Sequence, residues 1–213
     1  MTEKAEKTRE KILETAKEHF VAYGFAGASL RSIVKDAGMT TGAFYKYYPT
    51  KEALFDALTD PYVEHLYEIY ERILGDFQKQ DARGQTEHMA EISGNGILQM
   101  VDYVYDHYDN FKLLLKSRDS SKYMDMIHHL IQREIESTAD YIAEMKKAGI
   151  NIPEINNSLL HMLYSGFFSA IFQIIEHDID RNTAKENIGK LKEFYTGGWE
   201  RLWNVKFPAS SLM

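Results

Sequence analysis

Apolar residues recur three and four positions apart along almost the whole chain, and this spacing limits the fold more than any other feature of the sequence. Such spacing places apolar side chains on one face of an α-helix, whereas a half-buried β-strand would alternate with a period of two. No segment shows convincing alternation. The spacing therefore predicts an all-α fold of about nine helices. In residues 4–23, the apolar stripe consists of Ile12, Leu13, Ala16, Phe20 and Tyr23.

Glycines, prolines and hydroxyl-bearing residues divide this pattern into segments. Gly24 is expected to end the first helix in a left-handed conformation, and Gly38 closes a short second helix that Ser29 caps. Thr40 opens a third helix, which must end before Pro49 because the residue ahead of a proline disfavours helical backbone angles. Longer helices are predicted at 51–79, 87–107, 110–117, 121–148, 155–177 and 183–203.

The composition is that of a soluble globular protein without cysteine chemistry. Of the 213 residues, 44% are hydrophobic, 27% are charged and none is cysteine, which excludes disulfides, thiolate zinc sites and a cysteine nucleophile. The N-terminus lacks the apolar core of a secretory signal, so we expect a cytoplasmic protein. Residues 159–175 carry no Lys, Arg, Asp or Glu. They are shorter than the about 20 residues of a membrane span, so we predict a buried helix of a soluble protein and no membrane partner.

Charge is unevenly divided along the chain. Residues 1–51 carry nine Lys and Arg against six Asp and Glu, whereas the remainder carries 16 against 26, which gives a net charge of −7. A mildly basic head on an acidic body indicates that only the head approaches a polyanion. An excess of this size also arises by chance, so charge alone does not identify the partner.

The three short helices at the start of the chain have the form of a helix-turn-helix. Gly38 allows the sharp turn between the second and third helices. Ile33, Val34, Met39 and Phe44 are spaced to lock those two helices together. Residues 41–47 then form a short exposed helix whose first turn fits the roughly 12 Å wide major groove of DNA.

The start of the third helix is predicted to contact DNA through its backbone and its small side chains. Thr40 at the N-cap, with the free N–H groups of Thr41 and Gly42, forms an anion site at a helix N-terminus. Gly42 has no side chain, so the backbone can approach DNA closely. Ala43 is placed to touch a thymine methyl group.

Longer polar side chains surround this turn. Tyr45 follows the inward-facing Phe44, so its hydroxyl is predicted to donate to a phosphate oxygen. Lys46 reaches a base edge or a phosphate, and Lys51 reaches a second phosphate from the first turn of the next helix. Arg31 begins the preceding helix and is placed for a bidentate contact with guanine O6 and N7.

Residues 9–54 resemble the DNA-binding region of the tetracycline-repressor-like (TetR) family of bacterial regulators. In that family the positions of Arg31, Thr40, Thr41, Gly42, Ala43, Tyr45, Lys46, Tyr47 and Lys51 are the usual DNA contacts. The position of Tyr47 is often His in relatives, and that of Tyr48 mostly packs. The residues that carry the resemblance are Arg9, Ile12, Leu13, Ala16, Phe20, Gly24, Phe25, Ser29, Leu30, Ile33, Ala37, Gly38, Thr40, Gly42, Phe44, Tyr45, Tyr48, Lys51, Glu52 and Leu54.

The resemblance implies a two-domain regulator: residues 1–51 form the helix-turn-helix DNA-binding domain, and residues 52–213 form the ligand-binding and dimerisation domain. It also implies a homodimer on a pseudo-palindromic operator, joined through the last two helices, and a repressor that a small-molecule effector releases. The helix at 155–177 has more apolar faces than one core can bury, which agrees with a partner subunit. The expected interface residues are Leu159, Leu163, Phe167, Ile171, Ile174, Leu191, Phe194, Tyr195, Trp199 and Leu202.

The ligand pocket is predicted from aromatic, aliphatic and methionine residues of the larger domain. Their abundance points to an apolar or aromatic effector. The same spacing also suits an ordinary core, and a histidine in the apolar run is expected to be a satisfied core residue. The candidate lining residues are Tyr62, Leu66, Ile97, Met100, Val101, Tyr103, Tyr123, Met126, Ile127, His161, Tyr164, Phe168 and Phe172.

Other chemistries find little support in the sequence. The acidic and histidine residues of "EHDID" at 176–180 lack the i, i+4 geometry of a metal-binding His pair and are expected to be solvated loop charges. "SGNG" at 93–96 lacks the Lys-Ser/Thr of a phosphate loop. We predict no cofactor, no metal site and no catalytic residues. The alternatives are an architectural DNA-binding protein without effector control and, as the least favoured, a helical enzyme.

Overall fold

The computed structural model describes residues 3–118 and 120–207 of the chain. Within these ranges every regular element is an α-helix, so the predicted all-α class is confirmed. The nine helices found there are α1 Glu3–Gly27, α2 Leu30–Asp36, α3 Thr41–Phe44, α4 Lys51–Gln78, α5 Ala82–Asp106, α6 Tyr108–Lys116, α7 Ser121–Lys147, α8 Asn157–Glu176 and α9 Arg181–Trp203.

α1 and α5 differ from the predicted segments at one end each. The regular part of α1 breaks at Gly24, where φ is 70°, and one further turn runs on to Gly27. The break is the left-handed conformation that glycine tolerates best. The prediction that α5 begins at residue 87 is wrong, because the helix begins at Ala82. Asp81 caps this start, and its carboxylate accepts a hydrogen bond from the Gly84 N–H at 2.8 Å.

The described residues form two compact units. The first comprises the chain up to Glu64 together with His107–Met126, and the second comprises His65–Asp106 and the chain from Ile127 onwards. This division follows compactness and does not test function. The functional boundary after Lys51 therefore stays a prediction.

The core of the first unit is built around phenylalanine rings. Phe55 of α4 meets Phe20 edge-on, with ring centroids 5.2 Å apart, and meets Phe25 with centroids 5.1 Å apart. α6 packs against α1 and contributes Leu113 and Leu114, which are fully buried. These contacts fix the position of α1. α2 packs against α1, and α3 packs against α2.

In the second unit, α9 packs against both α5 and α8. A hydrophobic cluster joins the ends of α4, α7 and α9, with the rings of Tyr141 and Trp203 5.3 Å apart. Arg133 of α7 donates two hydrogen bonds to the carboxylate of Glu71 on α4, at 2.6 and 2.7 Å. Such a bidentate pair fixes direction as well as distance.

α8 is long and apolar enough to cross a membrane by length and composition, a test that core helices of soluble proteins also meet. The expectation of burial on nearly every side is wrong for a single chain. Tyr164 and Phe168 are buried on one face, whereas Met162 is 69% exposed on another. On the adjoining α9, Phe194 is 75% exposed. α8 and α9 thus both carry apolar side chains that the described residues leave uncovered.

Candidate nucleic-acid interface

α2 and α3 are held by the caps that the sequence predicts. Ser29 accepts a hydrogen bond from the Ser32 N–H at 3.4 Å, and Thr40 accepts one from the Ala43 N–H at 3.3 Å. Between the helices Gly38 has a φ of 72°, in the left-handed region that glycine favours. These local contacts set the turn of the helix-turn-helix.

α3 is shorter than the predicted segment 41–47. Its regular part ends at Phe44, and residues 45–47 continue as a turn. Phe44 is fully buried and Tyr48 is 5% exposed, so both pack as predicted. The Tyr48 hydroxyl also accepts a hydrogen bond from Arg9 Nε at 3.1 Å, which ties the end of this segment to α1.

Most of the residues predicted to contact DNA are exposed at the surface of the motif. Tyr45 is 49% exposed, and its ring meets the Phe44 ring edge-on at 5.9 Å. Ala43 and Tyr47 are half-buried. The other exposed members of the predicted set are Arg31, Thr40, Thr41, Gly42 and Lys46.

Lys51 has a structural role that sequence reasoning missed. Its ammonium group donates to three backbone carbonyls, those of Phe25 at 2.7 Å, Ala28 at 3.3 Å and Ala26 at 3.4 Å. It also lies 4.6 Å from the centroid of the Phe25 ring. An ammonium has three N–H donors, so these carbonyls already engage them all. Lys51 thereby fixes the end of α1 and the start of the connection to α2. Its predicted contact with a DNA phosphate stays a prediction.

A cavity of about 180 Å³ lies within the second unit. Aromatic and aliphatic side chains make up most of its wall, with a few polar groups among them. Its lining is Tyr70, Ile73, Leu74, Phe77, Met89, Ile92, Ile97, Met100, Glu134, Ser137, Thr138, Tyr141, Tyr164, Phe167, Phe168, Ile171, Lys192, Tyr195, Thr196, Trp199, Trp203 and Phe207.

Four of the predicted pocket residues line this cavity: Ile97, Met100, Tyr164 and Phe168. The others do not, because helical periodicity separates buried from exposed positions but does not separate cavity wall from solid core. His161, expected to be a core residue, is exposed instead, with its Nδ1 3.3 Å from the Ser165 hydroxyl. The remaining candidates outside the lining are Tyr62, Leu66, Val101, Tyr103, Tyr123, Met126, Ile127 and Phe172.

The residues predicted for the dimer interface differ in exposure, and some of them line the cavity. Phe194 is the most exposed of them, Leu202 is 39% exposed, and Ile174 is buried within the chain. Leu159, Leu163 and Leu191 are half-buried. The rest line the cavity: Phe167, Ile171, Tyr195 and Trp199.

Burial shifts the pKa values of two charged side chains in the cavity wall. Burial raises the pKa of the Glu134 carboxyl, although the Tyr70 hydroxyl and the Arg133 charge act in the opposite direction. Burial lowers the pKa of the Lys192 ammonium. Burial first, and the Glu134 charge second, raises the pKa of the Tyr70 hydroxyl. The carboxyl thus lies in surroundings that solvate its charge poorly.

Three buried polar atoms of the cavity wall have no hydrogen-bond partner among the described residues. They are Tyr70 Oη, Tyr141 Oη and Trp203 Nε1, in side chains that are 2 to 4% exposed. The Tyr70 hydroxyl and the Glu134 carboxyl lie close enough to shift each other's pKa, yet Tyr70 Oη has no hydrogen-bond partner among the described residues. By contrast, the Tyr164 hydroxyl is satisfied by Thr138 at 2.5 Å. Unpaired buried polar atoms are uncommon in proteins and often mark a site for a ligand or water.

The segment at 176–180 serves to end one helix and start the next. His177 is the C-cap of α8, and Asp180 caps α9 by accepting from the N–H groups of Asn182 and Thr183, both at 3.1 Å. Over the described ranges, no group of three or more His, Asp or Glu side chains is arranged to hold a metal ion.

Comparison with known proteins gives matches of two kinds. Residues 12–58 match the family model described as bacterial regulatory proteins, tetR family. An uncharacterised HTH-type transcriptional regulator of Bacillus subtilis (strain 168), YdgC, is 34% identical over 74 residues, which are 35% of this chain and 38% of YdgC. The alignment thus spans little more than a third of that relative's length.

Two solved structures share the fold over most of the chain. A member of the TetR transcriptional regulator family from Streptomyces coelicolor A3, SCO3833, covers 88% of this chain and 90% of its own, with a TM-score of 0.55 and 16% identity. The transcriptional regulator FadR from Bacillus subtilis, solved with stearoyl-CoA, covers 86% and 96%, with a TM-score of 0.53 and 16% identity. At such identity the likeness concerns the fold alone.

Proposed function

Because the N-terminal domain of this chain belongs to the tetR family of bacterial regulatory proteins, we propose that the chain is a sequence-specific DNA-binding transcription regulator. It acts as a repressor that binds a pseudo-palindromic operator as a homodimer in the cytoplasm. A small molecule entering the cavity of the second unit releases it from DNA.

The exposed surface around the buried Phe44 carries this proposal. Phe44 fixes α3 to the rest of the motif, while Tyr45 and Lys46 remain exposed beside it. An exposed tyrosine and lysine at the end of a short helix suit contacts with phosphate oxygens and base edges. Arg31 is exposed at the start of α2 and is the side chain that we expect to read guanine.

The proposals of a dimer and of an effector rest on separate features of the second unit. The uncovered apolar surface of α8 and α9, with Met162 and Phe194 at its most exposed points, supports a second copy of the chain as its occupant. Two motifs related by a two-fold axis would meet successive turns of the major groove, about 34 to 36 Å apart. The cavity, and the stearoyl-CoA bound in the FadR structure, support a ligand in this fold.

The test is enrichment of duplexes from a random pool, followed by binding titrations over a range of salt concentrations. We expect a pseudo-palindromic duplex to be enriched. Tyr45→Ala with Lys46→Ala should weaken binding about tenfold or more, and the loss of one phosphate-binding cation should reduce the salt slope by about 1. Arg31→Ala should instead relax the base preference at one position of each half-site.

The control is Lys190→Ala, which removes an exposed lysine of α9, outside the predicted DNA-binding domain. It should leave the affinity unchanged. Failure to enrich any duplex would contradict the proposal. Strong binding to all duplexes alike would favour the architectural alternative.

A further inference from the structure

The cavity of the second unit combines aromatic walls with one carboxylate that lacks a cationic partner. Ten of its lining residues are Phe, Tyr or Trp. Glu134 lines the same space. Its neighbour Arg133 pairs with Glu71 and Glu136. Within the part of the chain that the structure describes, no salt bridge involves Glu134. A carboxylate in an apolar cavity is costly unless a cation or hydrogen-bond donors approach it.

The groups around Glu134 fit a nitrogen cation rather than an anion. Tyr70 approaches from α4, and its hydroxyl oxygen, which faces the carboxyl, has no partner. Tyr164 approaches from α8 and lies close enough for the Glu134 charge to act on its hydroxyl. Aromatic faces attract cations, and the attraction strengthens when the site is shielded from water. An N–H of a bound cation would donate to Glu134 and to the Tyr70 oxygen together.

Lys192 is the cation of the cavity wall, and it belongs to a different part of it. Its side chain lies where α9 packs on α5, so close to Gly94 that a Cβ built there would be 2.1 Å from Nζ. Glu134 is on α7, and the cation that acts on its carboxyl is Arg133, which is itself paired with Glu71 and Glu136. Among the described residues, Lys192 therefore forms no salt bridge with Glu134.

The volume limits the size of the ligand. At about 180 Å³, the cavity is slightly larger than an engineered apolar cavity of about 150 Å³ that holds benzene. A single ring with a short substituent fits this space.

We propose that the cavity binds a compact organic amine in its protonated form, with the ammonium group against Glu134 and Tyr70 and the apolar frame among the aromatic rings. This inference rests on the proposed function in taking the bound amine to be the effector that releases DNA. The apolar or aromatic effector expected from the sequence is thereby narrowed to an effector that carries a positive charge.

Three probes with a shared phenylmethyl frame test the charge: benzylammonium, the neutral benzyl alcohol and the anion phenylacetate. The chain has two tryptophans, and both line the cavity with their rings stacked at 4.7 Å. Their fluorescence therefore reports on the cavity directly. We expect benzylammonium to bind at least about tenfold more tightly than benzyl alcohol, because hydrogen bonds involving charged groups contribute more than neutral ones.

Glu134→Gln keeps the shape of the side chain and removes its charge. It should abolish the preference for benzylammonium and leave benzyl alcohol binding unchanged. Glu186→Gln makes the same change in net charge at an exposed position of α9 and should change neither affinity. The three wild-type titrations remain decisive if the Glu134 variant fails to fold. Equal or tighter binding of benzyl alcohol or phenylacetate would overturn the proposal, as would equal benzylammonium affinity in a folded Glu134→Gln variant.

A duplex-binding titration with and without benzylammonium separates this inference from the proposed function. We expect the amine to weaken duplex binding by the wild type and not by Glu134→Gln. A protein that binds its enriched duplex but ignores benzylammonium would refute the inference and leave the proposed function standing. A protein that binds benzylammonium through Glu134 but enriches no duplex would refute the proposed function and, with it, the effector assignment.

Discussion

Lys46 and Lys51 belong to the same N-terminal domain but make different contacts. Lys46 is exposed on the turn that follows α3. The Lys51 ammonium instead donates to the carbonyls of Phe25, Ala26 and Ala28. The two side chains have the same chemistry, so their contacts alone decide which of them stabilises the domain.

We predict that Lys51→Met lowers the free energy of unfolding by about 1 to 3 kcal/mol, because three carbonyls lose a charged donor. Lys46→Met should change it by less than about 0.5 kcal/mol, as is usual for an exposed side chain. Urea denaturation of both variants measures the difference. Equal stability of the two would show that the Lys51 hydrogen bonds contribute nothing net. Duplex titrations of the same pair would test the predicted phosphate contact of each lysine.

At the scale of elements, ion pairs fix α9 against α5. Asp102 on α5 accepts a hydrogen bond from Arg181 Nε at 2.8 Å and pairs with Lys185 at 2.6 Å. Arg181 also reaches Asp106 at 2.7 Å. The Lys185 ammonium first, and the Arg181 guanidinium after it, lowers the pKa of the Asp102 carboxyl despite its partial burial. The start of α9 is therefore held by a small charge network.

The Asp102 charge network leads to a prediction about how the stability of the fold depends on pH. Because the folded-state pKa of Asp102 lies below its unfolded value, the charged form stabilises the fold above the unfolded pKa. That contribution is lost as the pH falls through the folded pKa. Asp102→Asn should therefore lower the Tm by a few degrees at pH 7, and the gap to wild type should close below about pH 4.

Thermal melts of wild type and Asp102→Asn at several pH values measure this gap. Glu186→Gln, which removes an exposed carboxylate from α9, is the control and should follow wild type throughout. A gap that stays constant down to pH 2 would show that the loss comes from packing and not from charge.

At the scale of the whole molecule, the exposed apolar surface of α8 and α9 determines the oligomeric state that we expect. Phe194 is 75% exposed and Met162 is 69% exposed, values that are unusual for large apolar side chains. Exposed apolar surface beyond scattered single residues marks an interaction site. A second copy of the chain would cover it.

We predict that Phe194→Glu converts a dimer into a monomer of 24.7 kDa, because it places a charge in the apolar centre of the interface. Light scattering coupled to size-exclusion chromatography measures the mass. Met124→Glu, at another exposed apolar position, on α7, should leave the dimer intact. A monomeric wild type, or a dimeric Phe194→Glu, would contradict the prediction. Loss of the dimer should also weaken operator binding, since one motif then contacts one half-site.

Local signals in the sequence predict the helices and the helix-turn-helix form of the N-terminal residues. The caps Ser29 and Thr40, the left-handed Gly38 and the inward-facing Phe44 each act within a few residues of their own position. Periodicity and cap chemistry therefore sufficed to predict them. Asp81 is a local signal of the same kind, because it caps α5 and so sets its start at Ala82.

The packing of the helices determines which buried positions surround the cavity and which form solid core. Phe168 and Phe172 lie one helical turn apart on α8 and are equally buried, yet only Phe168 lines the cavity. The carbonyl contacts of Lys51 and the place of Glu134 in the cavity wall could not be predicted for a related reason, because the groups around them come from segments remote in sequence. Periodicity fixes the face on which a side chain lies, but the groups opposite that face are set by how the helices pack.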